Sequence, residues 1–127
     1  MVIEVLQQDD VCVLRIEGRF VTGSEPEYLS AKMDELRRLN SGKVLVDLQE
    51  MPYIGSTGIG FIVGIFSSVT MNSGQFVLVG LQPRVQELFR LTRLNTILPI
   101  APDRQAGLAS LRAEDSKAGA ASADSRS

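Results

Sequence analysis

Apolar and polar residues alternate along residues 2–7 and again along 11–17, with the polar run Gln8-Asp9-Asp10 between them. This pattern predicts two short strands folded into an antiparallel hairpin at one edge of a sheet. In Val11-Cys12-Val13-Leu14-Arg15-Ile16, a period of two puts Cys12, Leu14 and Ile16 on one face. The rhythm then changes. Leu29, Met33, Leu36 and Leu39 recur at helical spacing, while Lys32, Glu35, Arg37 and Arg38 fall mostly off that stripe. Ser24 is placed to cap this helix and Glu27 to reach back to the cap, with Asn40-Ser41-Gly42 ending it.

Val44-Leu45-Val46-Asp47-Leu48 is apolar on both faces apart from Asp47, as befits a central strand covered on both sides. A second helix is predicted from about Gly58 to Asn72, apolar nearly all round through Ile59, Phe61, Ile62, Val63, Ile65, Phe66 and Val69. Gly60 and Gly64 are expected to let it approach the sheet closely, and Asn72-Ser73-Gly74 to stop it. Phe76 to Val79 reads as a strand, Pro83 to about Thr92 as a helix, and Ile97-Leu98-Pro99-Ile100 as a brief edge strand because it contains a proline. Asp103 caps a last helix holding Leu108 and Leu111. From Ala113 onward no apolar side chain larger than alanine remains, so one domain is expected over residues 1–112 and a disordered tail over 113–127. The fold class is α/β: a mixed sheet with an opening antiparallel hairpin, later parallel strands joined by right-handed crossovers, and about four helices packed against it.

Composition narrows the function. Thirteen basic and fifteen acidic residues give a net charge of −2 with no block of either sign, so neither nucleic acid nor an anionic membrane is an expected partner. The N-terminus lacks the features of a signal peptide, and no apolar run approaches the roughly 20 residues needed to span a bilayer. A cytoplasmic location is expected. The chain has no histidine, which removes the usual general base, the Ser/His and Cys/His nucleophile pairs and the commonest nitrogen ligand of metals. An enzyme is not expected, nor a metal or cofactor. The single cysteine, Cys12, is expected to be a buried structural thiol.

The chemistry concentrates in Tyr53-Ile54-Gly55-Ser56-Thr57-Gly58-Ile59-Gly60, two adjacent hydroxyls among glycines between a buried strand and an apolar helix. A helix start leaves its first N–H groups unpaired and carries roughly half a positive charge, so it tolerates an anion. Thr57 is the expected N-cap. The turn either binds a phosphate ligand or accepts a phosphoryl group. A phosphate-loop nucleotide site needs a lysine beside its last glycine, and none lies between Lys43 and Lys117. The Gly-x-x-Gly-x-Gly order also reverses the dinucleotide fingerprint. Acceptance is favoured, beside the plain alternative of an ordinary Thr cap. Asp47 has a structural alternative too, accepting backbone hydrogen bonds near its strand end, while Arg84, Arg90 and Arg93 can form a solvated helix face.

The span from about residue 2 to 112 resembles the STAS domain of the bacterial anti-sigma factor antagonist family. The matching segments are Leu14-Arg15-Ile16-Glu17-Gly18, Val44 to Leu48, Tyr53 to Gly60, Gly74 to Gly80 and Leu91-Thr92-Arg93-Leu94. The family's turn reads Asp-Ser-Ser-Gly or Asp-Ser-Thr-Gly, and the hydroxyl before its last glycine is phosphorylated by an anti-sigma factor that is also a kinase. The resemblance therefore implies Thr57 as acceptor, with Ser56 the alternative. It also implies that the unmodified protein binds the anti-sigma factor and frees a sigma factor, that phosphorylation releases it, and that a serine/threonine phosphatase resets it. Gly55, Ser56, Thr57, Gly58, Ile59 and Gly60, with Val21 and Thr22 from the earlier loop, would form the partner surface. A homodimer is an open alternative. Two departures stand out: Gly55 occupies the place of the family's acidic residue, and Val21 or Thr22 that of a second carboxylate. Competing readings are a STAS scaffold subunit of a signalling complex or transporter accessory that is not phosphorylated, and an anion or nucleotide sensor.

Overall fold

The structure, a computed structural model, describes residues 2–18, 25–39 and 42–111. Strands β1 (Val2–Gln8) and β2 (Val11–Glu17) form the expected antiparallel hairpin, paired from Val2↔Glu17 to Gln8↔Val11. Asp9 makes the turn in the left-handed region, φ 56°, which Asp tolerates better than most side chains. Strands β3 (Lys43–Glu50), β4 (Gln75–Val79) and β5 (Ile100–Ala101) then add in parallel, giving one sheet in the order β1-β2-β3-β4-β5.

Strand order that follows chain order, joined by right-handed crossovers, places successive connecting helices on the same face of a sheet. Helices α1 (Glu25–Leu39), α2 (Ser56–Met71) and α3 (Pro83–Leu91) lie there accordingly. Leu29 and Leu36 of α1, Phe61, Ile62 and Ile65 of α2, and Val85 and Phe89 of α3 share one core with Cys12, Leu14, Ile16, Val44, Val46, Leu48, Phe76 and Leu78. The predicted face of β2 thus meets the α1–α3 core. Helix α4, residues 104–111, covers the other face, where Leu108 and Leu111 pack on Val11, Val13, Leu45, Val77 and Val79. Asp103 caps it as expected, its Oδ1 accepting the Ala106 N–H at 2.8 Å.

Asp47, the polar exception in β3, is buried. Its Oδ1 accepts the Gln49 N–H at 2.9 Å and its Oδ2 the Arg104 Nη2 at 2.9 Å. The strand-end backbone bond is the structural role foreseen for it. The link to Arg104 additionally pins the first turn of α4 to the sheet.

Four expectations need correction. The edge strand is Ile100–Ala101 and not Ile97–Ile100, because the N–H groups of Ile97 and Leu98 both turn back to the Leu94 carbonyl at 3.0 and 2.9 Å. Pro99 still offers its carbonyl to the Leu78 N–H, at 2.8 Å. Gly60 does not serve close packing: it is exposed, and a Cβ there would meet nothing within 4 Å. A Cβ added at Gly64 would meet the Met33 methyl at 3.5 Å, an ordinary contact distance. Arg84 and Arg90 are exposed on α3, but Arg93 lies beyond it in a left-handed conformation, so the three do not share a helix face. The fourth correction, the cap of α2, belongs to the site. Ser24, Val21, Thr22 and the segment 113–127 lie outside the described residues.

Candidate functional site

Strand β3 leads into the site through a short connection anchored by two buried residues three positions apart. Met51 and Ile54 are fully buried, whereas Pro52 and Tyr53 face solvent. Helix α2 starts immediately after, at Ser56, with Gly55 as its N-cap in an extended conformation and its carbonyl accepting the Ile59 N–H at 3.0 Å. Thr57 is therefore the second helical residue and not the cap, and Gly55, having no side chain, makes no side-chain capping bond. The cause lies in the flanking apolar residues. Ile54 just before the cap and Ile59 in the fourth helical position both join the main core, the spacing of a hydrophobic staple that fixes where the chain enters a helix.

Starting the helix at Ser56 leaves the N–H groups of Ser56, Thr57 and Gly58 without intrahelical acceptors. No acidic residue occupies the first turn, so the positive end of the dipole is not neutralised by a side chain of α2. Ser56 is exposed and Thr57 half-buried. Gly58 is buried against the core, Ile59 is half-buried and Gly60 is exposed. The structure thus brings Gly55 to Gly60 together as one helix start, while only part of it faces outward.

Thr57 opens onto a shallow cleft of about 300 Å³ between α1 and α2, lined by Leu29, Ser30, Met33, Arg37 and Phe61 as well as Thr57 itself. Ser30 and Arg37 were not among the residues singled out from sequence. That they line one cleft with Thr57 depends on how two helices pack across a long separation in sequence, and the local pattern carries no signal for it beyond their positions beside the apolar stripe of α1. Arg37 holds Asp34, three residues earlier, at 3.0 Å.

Among the described residues, no group of three or more His, Cys, Asp or Glu side chains is arranged to hold a metal ion. No helix of the described residues is long and apolar enough to cross a membrane. Cys12 is fully buried, and that burial, with the Glu35 charge adding to it, pushes its thiol up to about 11. A nucleophilic thiolate is disfavoured there.

The STAS domain family model matches residues 2–107. The chain belongs to the STAS domain family. Among its STAS relatives, the anti-sigma-B factor antagonist of Listeria monocytogenes is 38% identical over 85 residues, covering 64% of this chain and 75% of that protein. The crystal structure of a candidate anti-sigma factor antagonist from Thermotoga maritima superposes with a TM-score of 0.79 at 24% identity, covering 87% of this chain and 94% of that one. The Bacillus cell fate determinant SpoIIAA is similar in fold in both its unphosphorylated form (TM-score 0.67, 14% identity, 83% and 92% of the two chains) and its phosphorylated form (0.63, 13%, 83% and 96%). These three structural likenesses bear on the fold alone, and they agree with the mixed sheet described above.

Proposed function

We propose that this STAS protein is an anti-sigma factor antagonist. In its unmodified form it binds an anti-sigma factor of the serine/threonine kinase type through Ser56, Thr57 and the start of α2, and so frees a sigma factor. The kinase transfers the γ-phosphoryl group of ATP to Thr57 Oγ1, with ADP and the hydroxyl proton as the other products, and the modified protein lets go. A serine/threonine phosphatase resets the switch. On this reading the chain is a cytoplasmic binding protein without an active site of its own.

The observation that carries the reading is an accessible hydroxyl pair, tied up by no capping bond, on the first turn of α2 in a STAS fold. The relative named as an anti-sigma-B factor antagonist supports the partner class, and a fold relative that exists in both phosphorylation states supports the switch. The physics is compatible. Phosphate brings about −1.5 to −2 charges, which the unneutralised helix start tolerates in the free protein. Against a partner surface matched to a neutral hydroxyl the same charge has to be desolvated or repelled. A loss of about 3–5 kcal/mol there corresponds to roughly 10²–10⁴ in affinity.

The test is incubation with an anti-sigma factor kinase from the same organism and Mg-ATP, followed by mass spectrometric mapping. Phosphate on Thr57 and ATP-dependent release are expected; absence of both modification and binding sinks the proposal. One observation favours a second reading: Gly55 supplies no carboxylate where the family has one. A STAS scaffold that is never phosphorylated would form a complex insensitive to Thr57→Glu.

A further inference from the structure

Gly60 is a glycine that the fold itself does not use. It stands inside α2 in ordinary helical backbone, outside the left-handed region, where glycine weakens a helix relative to alanine. It is exposed, and a Cβ there would meet nothing within 4 Å, so no neighbouring element excludes a side chain. With about 100° of rotation per residue, position 60 falls between Ser56 and Thr57 when α2 is viewed down its axis, one turn further along. A helical Cα–Cβ bond leans toward the helix N-terminus, so a side chain at this position would reach back over the two hydroxyls. The bare main chain at Gly60 is thus the surface that borders the hydroxyl pair. No Asp, Glu, Lys or Arg occurs from Ser56 to Met71, which suits the charge-depleted centre of an interface.

From these observations we infer that Gly60 is a specificity-determining residue of the partner surface. The anti-sigma factor kinase lays an uncharged segment flush against the main chain of α2 at Gly60, and that close approach sets the distance between Thr57 Oγ1 and the γ-phosphate of its ATP. The inference rests on reading Thr57 as the acceptor and adds how the kinase is seated. Phosphoryl transfer depends largely on holding the attacking and leaving oxygens in line. Reacting atoms must come within about 3–3.5 Å, and a misplacement of about 1 Å can cost 10²-fold in rate. A methyl group at this position stands off the helix by about 1.5 Å, the length of one C–C bond. Even Gly60→Ala therefore holds the kinase away from Thr57.

The test compares full-length chains as substrates of an anti-sigma factor kinase from the same organism with Mg-ATP, read as the initial rate at which phosphate appears on Thr57. Gly60→Ala should slow the transfer about tenfold and Gly60→Leu about 10²-fold. The urea midpoint of Gly60→Ala should nonetheless lie at or above that of the unsubstituted chain. Gly64→Ala brings the same helix propensity one turn further along, where the added Cβ meets the Met33 methyl at an ordinary 3.5 Å, and it should leave the rate unchanged. Equal rates for the unsubstituted chain and Gly60→Ala overturn the inference, as does an equal slowing by Gly64→Ala, which would mean a stiffer helix and not a lost contact. Both of those results leave Thr57 standing as the acceptor. An unsubstituted chain that is neither bound nor modified overturns the acceptor reading and this inference with it.

Discussion

Removing the Asp47 carboxylate should be among the most costly single changes outside the apolar core. Its side chain is only 6% exposed and bridges two elements, β3 through the Gln49 N–H and α4 through Arg104. A hydrogen bond from a backbone N–H to a buried charged acceptor is worth about 1.5–3 kcal/mol. The Arg104 side chain is 36% exposed, so solvent screens that half of the arrangement and about 1 kcal/mol is a fair value for it. Asp47→Ala should therefore cost about 3 kcal/mol, or roughly 12 °C of melting temperature at about 4 °C per kcal/mol for a domain of this size. Arg104→Ala should cost less, about 1–2 kcal/mol, because water can reach the carboxylate once the guanidinium has gone while the Gln49 bond persists. The double variant should lose little more than Asp47→Ala alone, a coupling near 1 kcal/mol by urea denaturation. If Arg104→Ala cost as much as Asp47→Ala, the backbone bond would not be the dominant half, and if the two losses simply added, the ion pair would contribute nothing; either result would refute the reasoning.

Four further expectations can be checked with the same denaturation assay. A methyl group at Gly107 would lie 2.5 Å from Val79 Cγ1 and 2.9 Å from Leu45 Cδ1, so overpacking of about 1–3 kcal/mol should outweigh the roughly 1 kcal/mol helix-propensity gain and make Gly107→Ala destabilising. Gly60→Ala, which meets nothing, should stabilise by about 0.5–1 kcal/mol; equal effects at the two sites would contradict the packing of α4 on the second face. The Cys12 thiol keeps its proton up to about 11 in the folded state but releases it near 9 when unfolded. The unfolded chain thus binds fewer protons between those values, and about 2–3 kcal/mol of stability should be lost as pH rises from 9 to 11, a slope that Cys12→Ala removes; identical pH profiles would refute it. Thr57→Glu places a carboxylate in a first turn that has none, so it should hold or raise stability by about 0.3–1 kcal/mol while abolishing capture of the kinase partner in pull-down; a marked loss of stability would mean that the hydroxyl has a structural role.

The architecture could be read from the sequence wherever periodicity reports burial directly. Cys12, Leu14 and Ile16 alternate because one face of β2 meets helices, and Leu29 and Leu36 recur because α1 lies on that same core. Asp103 was readable for a similar reason, since its cap is closed by a residue three positions away. The misreadings arose where a local rule met a longer-range demand. A hydroxyl beside an apolar run suggests a cap, yet Ile54 and Ile59 set the start of α2 at Gly55 and moved Thr57 into the first turn. Ile97 and Leu98 resemble a strand, but their amides were claimed by Leu94.

The displacement of Thr57 bears on the proposed switch. As an N-cap its hydroxyl would be spent on a backbone N–H, and phosphorylation would remove a stabilising bond from the helix. As the second helical residue it is not the cap of α2. Adding a phosphate there costs the fold little, because the unpaired first-turn N–H groups offset the new charge. The free energy of the modification is then felt mainly where Ser56 and Thr57 meet a partner. A switch that left the domain intact and changed only its affinity would require that division, and it follows from where Ile54 and Ile59 begin the helix.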